Sequence, residues 1–90
     1  MKPDEIRLLC AVALDSVKDI LPAMGFQQAH EWVHEYGEWG LAIECVIDWI
    51  GDDDLPINDR QFNAIEKAMD AMNWKDSPRM EWLRKYKLAQ

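Results

Sequence analysis

The sequence predicts an all-α fold, a compact bundle of four to five short helices. Three observations point there. Apolar residues recur at helical spacing in five stretches, convincing strand alternation is nowhere to be found, and turn or cap residues punctuate the chain between the stretches. At 90 residues with 49% hydrophobic side chains, the chain is one small domain, residues 1–90, with enough apolar surface to fold rather than stay disordered.

The first helix is expected to be capped by Asp4, with Ile6, Leu9, Cys10, Ala13, Val17 and Ile20 as its apolar face. Pro22 breaks or restarts the chain. A second helix, roughly 25–36, carries Phe26, Ala29, Trp32, Val33 and Tyr36 on one side, with Gly37 placed to end it. The third, about 38–50, packs Trp39, Ala42, Ile43, Val46 and Ile50 inward and stops at Gly51 and the Asp52-Asp53-Asp54 loop. Asn58 and Gln61 have capping-box spacing and open a fourth helix with Phe62, Ile65, Ala68, Met69 and Met72. Asn73 suits a left-handed stop. Ser77-Pro78 reads as an N-cap with proline at the first helical position, starting a last helix with Trp82, Leu83 and Tyr86.

No apolar run approaches the ~20 residues that span a bilayer, and the N-terminal segment lacks the pattern of a secretory signal. Cys10 and Cys45 form no CxxC, and each falls in an apolar helical pattern. Buried free thiols in a reducing cytoplasm are therefore expected.

Charge is unevenly spread. Residues 1–56 hold three basic and twelve acidic side chains, and residues 57–90 hold seven basic and five acidic. Between Lys18 and Arg60 no Lys or Arg occurs, while ten carboxylates do. Such a field repels nucleic-acid phosphates and anionic membranes and attracts basic proteins.

One motif suggests catalysis. His30-Glu31-Trp32-Val33-His34 matches HExxH, in which two histidines one helical turn apart bind zinc and the glutamate activates water. Glu44 and Asp48 are candidates for a third ligand. Zincin sites, however, rest on a larger scaffold with a sheet beside the motif helix, and two histidines on a solvated helix face explain the pattern without metal. A Cys10/Cys45/His30/His34 site lacks zinc-site spacing in all but its histidines. Neither serine has a catalytic setting, and no glycine-rich phosphate loop is present. The chain is therefore read as a binding protein, not an enzyme, with no cofactor and no metal.

The carboxylates of the second and third helices are ordered. Glu31 and Glu35 are one turn apart, Glu38 follows the turn at Gly37, and Glu44 and Asp48 are again one turn apart, leading to Asp52, Asp53 and Asp54. Like charges at this spacing cost a helix a few tenths of a kcal/mol, and no nearby Lys or Arg in the sequence relieves them. A cationic partner accounts for that cost; a face kept negative for solubility is the alternative. Of five tryptophans, most belong to the core by position. Trp49, beside the acidic loop, is the best candidate for an exposed anchor.

At Gly37-Glu38-Trp39-Gly40-Leu41-Ala42-Ile43-Glu44 the chain resembles the MafI-type immunity proteins, short helical proteins that guard bacteria against toxin domains from neighbouring cells. Their pattern, G-E-aromatic-G-L-A-aliphatic-E, is followed by an apolar helix, an acidic stretch and a further helix, here Ile57 to Met72. The likeness covers roughly residues 28–74. The chain departs from the pattern at Cys45-Val46, where leucine is commoner. The resemblance implies a cytoplasmic protein that neutralises a cognate toxin C-terminal domain of a Maf or contact-dependent growth inhibition system. Such toxins are often ribonucleases, EndoU-like or RNase A-like, with basic clefts. The expected toxin-binding set is then Glu31, Glu35, Glu38, Glu44, Asp48, Trp49, Asp52, Asp53 and Asp54, with no direct contact to nucleic acid or membrane. Glu38 and Glu44 have a second reading, as residues that cap and brace the hairpin. Other readings are a helical adaptor or regulatory subunit unrelated to toxins and, more remotely, a small HExxH zinc hydrolase.

Overall fold

A computed structural model describes residues 2–88, and within them the fold is all-α. Helix α1 spans Pro3–Ser16, α2 Ala23–His34, α3 Trp39–Asp52, α4 Asp59–Ala71 and α5 Pro78–Leu83, followed by a single 3₁₀ turn at Arg84–Tyr86. Connections of four to six residues join the helices. α2 packs against α3 and α1 against α4, α1 also touches α2 and α3, and α5 rests on α3. No helix is long and apolar enough to cross a membrane.

The core forms where the apolar stripes meet. Leu14 and Val17, Ala29 and Val33, Ile43, Val46, Ile47 and Ile50, Ile65 and Met69, and Met80 and Leu83 are all buried. α3 contributes most because it is covered on several sides, and this makes it the axis of the bundle. The capping box at Asn58 is formed: Gln61 N–H donates to Asn58 Oδ1 at 2.8 Å, and Asn58 N–H donates to Gln61 Oε1 at 2.9 Å. Gln61 Nε2 also donates to the Ser16 carbonyl at 2.9 Å, so the residue that starts α4 satisfies an orphan carbonyl at the end of α1. At the other end of α4, Asn73 takes φ +62°, with Trp74 N–H on the Met69 carbonyl and Asn73 N–H on the Asp70 carbonyl, a Schellman closure.

Several boundaries differ from expectation. Lys2, not Asp4, is the N-cap of α1, because Pro3 starts the helix with its fixed φ; Asp4 and Glu5 then face the positive end of the helix dipole. α2 ends at His34, so Tyr36 lies beyond the helix and is 64% exposed instead of inward. Gly37 does adopt φ +63°, and Glu38 N–H reaches back to the Trp32 carbonyl.

Gly51 does not stop α3. The helix runs on to Asp52, and Asp54, at φ +50°, provides the left-handed residue, with Leu55 N–H on the Ile50 carbonyl. Gly51 serves packing instead: a Cβ there would fall inside the Trp82 ring. Gly25 seats Trp49 and Gly40 seats Trp74 in the same way, with added Cβ atoms at 2.6 Å and 2.5 Å from the rings. Gly40 is thus inside α3 and takes no part in the preceding turn. The chain after α5 is tied down by a single parallel bridge, Ile57 N–H to the Tyr86 carbonyl and Leu88 N–H to the Ile57 carbonyl.

Candidate functional site

The outward ridge of α3 carries Leu41, Glu44, Cys45, Asp48 and Asp52 at successive turns, which the i, i+3, i+4 spacing of their positions dictates. α2 rises on one side with Trp32 and α5 on the other with Arg79, and the three helices enclose an open cleft of about 300 Å³. Trp49 forms its α2-side wall, half-buried because its ring is seated on Gly25. The cleft therefore has an indole and aliphatic lining, three carboxylates and one guanidinium.

That guanidinium comes from α5, more than 30 positions along the chain from the carboxylates it meets. Arg79 Nη1 donates to Glu44 Oε2 at 2.6 Å, and Arg79 Nε donates to Asp48 Oδ1 at 3.3 Å. The hydrogen bond to Asp48 raises the arginine's pKa further above its already high value, so the charge is permanent. Glu44 and Asp48 are thus not an unrelieved pair: a cation 31 to 35 positions away relieves them. The contact of Glu44 is to α5 and not within the α2–α3 hairpin: it ties α5 to α3. All three side chains remain partly exposed, so the bridge contributes at most about 1 kcal/mol.

The other expected residues are distributed around this cleft. Asp52 lines it; Asp53 and Asp54 follow in the turn and are exposed. Glu38 is exposed at the N-cap of α3 and its side chain makes no capping bond. Glu31, on α2, and Glu35, its C-cap, lie outside the cleft lining, Glu31 half-buried and Glu35 exposed. Among the described residues, Glu31, Glu35, Glu38, Asp52, Asp53 and Asp54 take part in no ion pair. Partial burial first, and then Asp54, hold the Tyr86 hydroxyl above its ordinary pKa, and the hydroxyl donates to the Gly51 carbonyl at 3.3 Å. Trp49 is not the exposed tryptophan: Trp74 is, at 40%, because its Gly40 seat lies at the edge of the bundle.

His30 and His34 occupy the opposite flank of α2. Both are exposed, with ring centroids 4.3 Å apart, and the Phe26 ring lies tilted beside His30 at 5.8 Å. His30 borders a separate hollow with Lys18 and Phe26. Glu44 and Asp48, the residues considered as a third zinc ligand, are engaged with Arg79 instead. Among the described residues no group of three His, Cys, Asp or Glu side chains is arranged to hold a metal ion. The thiols are not activated either. Burial pushes Cys10 up to about 11. Burial also raises Cys45, against a lowering from the Trp49 indole N–H and with a further increase from Asp48.

Arg79, Trp32, Leu41 and Cys45 become members of one site only in the fold. Their helical phase was readable, but the neighbour that α5 brings was not. Comparison of the chain with family models, curated proteins and solved structures gives no match.

Proposed function

We propose that this chain is a cytoplasmic immunity protein that binds and neutralises a basic bacterial toxin domain, a nuclease, by laying its acidic α2–α3 face over the toxin's cleft. The observation that carries this reading is that six of the eight carboxylates of that face have no internal counter-ion among the described residues. A surface that leaves Glu35, Glu38 and Asp52–Asp54 exposed and unpaired beside half-buried indoles has the composition of a binding face for a cationic protein. The resemblance at residues 37–44 supplies the toxin class. Inhibition is steric, with carboxylates occupying the positions that substrate phosphates take in the toxin, and the protein itself does no chemistry.

The test is co-purification with the product of the adjacent upstream gene, followed by a nuclease assay with and without this protein. The reading expects a stoichiometric complex and loss of cleavage. A toxin that cleaves at full rate in the presence of excess protein, with no complex formed, would remove the immunity role.

A further inference from the structure

We propose that the cleft between α2, α3 and α5 receives one arginine side chain of the partner, and that Arg79 is an internal latch against which that arginine competes. This rests on the acidic-face reading above and names the side chain that reading leaves open.

The cleft differs from the rest of the acidic face in having aromatic walls. Trp32 and Trp49 line it together with Asp48 and Asp52, and Asp52 has no cation partner among the described residues. A planar, weakly hydrated guanidinium suits that combination, because it stacks on indole faces while donating along its edge to carboxylates. A lysine ammonium is compact and strongly hydrated, and gains less from the indoles. The exposed Asp53 and Asp54, with no such walls, attract either cation alike.

Arg79 already shows how these carboxylates hold a guanidinium. Its two contacts are unequal: the one to Glu44 is 2.6 Å, and the one to Asp48 is 3.3 Å between side chains that are 43% and 47% exposed. The Asp48 contact is therefore the one that yields. Arg79 and Glu44 also border a second hollow of about 280 Å³, shared with Met69, Trp74 and Ser77. Ser77 Oγ is buried there without a hydrogen-bond partner. Arg79 has room to turn into that hollow while keeping Glu44, which frees Asp48 to join Asp52 around the incoming guanidinium.

The experiment compares fluorescein-labelled hexa-arginine and hexa-lysine peptides binding to the full chain at low salt, read by anisotropy, with circular dichroism on every variant. The proposal expects hexa-arginine to bind about tenfold tighter than hexa-lysine, and Asp52→Asn to remove most of that preference. Arg79→Gln should tighten hexa-arginine severalfold. Alkylation of Cys45, on the cleft wall, should slow with hexa-arginine in the wild-type protein, a readout that needs no variant. Equal binding of the two peptides overturns the arginine receptor and leaves the acidic face standing. Binding of neither overturns both. Weaker hexa-arginine binding by a folded Arg79→Gln protein overturns the latch.

Discussion

α3 has two flanks built from similar parts and used differently. Against α2, Trp49 of α3 lies on Gly25; against α5, Gly51 of α3 lies under Trp82. Each flank also presents carboxylates one turn apart, Glu31 of α2 with Glu35 at its C-cap and Glu44 with Asp48 on α3. On the α5 flank Arg79 spans the pair, and the repulsion is relieved within the fold. On the α2 flank no cation joins the pair among the described residues, and the cost stays in the free protein. Carboxylates that form one run in the sequence are thus of two kinds. Glu44 and Asp48 are paired within the fold, and Glu31, Glu35, Glu38 and Asp52–Asp54 have no counter-ion among the described residues.

The glycine seats give the largest test of this comparison. Gly51→Ala forces a methyl into the Trp82 ring and should cost about 1–3 kcal/mol, a fall in Tm of about 4–8 °C for each kcal/mol. Gly25→Ala should cost less, because half-buried Trp49 has the open cleft to shift into. Gly40→Ala, against the exposed Trp74, should be near neutral once alanine's better helix propensity, about 1 kcal/mol, is counted. Equal Tm values for the three variants would show that the seats are not what distinguishes the flanks.

Next in size is the alkaline behaviour of the core thiol. Cys10 is held up to about 11 from its ordinary 9.0, so its thiolate is disfavoured in the folded state. Between those values the unfolded chain releases a proton that the folded chain keeps, and stability falls as pH rises. Cys10→Ala should show a shallower decline across that window in denaturant titrations. At pH 8, Cys45 on the α2-side cleft should react with a thiol reagent far faster than Cys10, which is fully buried.

The ion-pair predictions are smaller. Arg79→Gln should cost no more than about 1 kcal/mol of stability, since its partners are partly exposed. Glu35→Gln, on the unrelieved flank, should gain a few tenths of a kcal/mol. Opposite signs in urea unfolding sharpen the contrast between the flanks, and a common sign would erase it.

Much of this architecture is readable in the sequence because it is local. The capping box at Asn58 and Gln61, the left-handed Asn73 and the Ser77-Pro78 start are all set by residues within a few positions of each other. The Ser77 site also shows the limit: Ser77 is the N-cap, yet its hydroxyl makes no capping bond. Gly51 misleads because a glycine needed for close approach looks the same, in sequence, as one needed to end a helix. The acidic ridge of α3 follows from helical phase alone. Its pairing with Arg79 does not, since that depends on where a six-residue helix lands after two intervening turns. For the same reason Trp49 looks exposed in sequence and is half-buried in the fold: its seat is on another helix.

The proposed function is tested most directly by the association rate of the toxin domain that the upstream gene is proposed to encode with wild-type protein and with the Asp52→Asn/Asp53→Asn/Asp54→Asn triple variant, measured across a range of salt concentrations. The triple variant should associate about tenfold to a hundredfold more slowly at low salt, with a shallower salt dependence and unchanged helicity. An unchanged rate and an unchanged salt slope in the folded variant would contradict the proposed function.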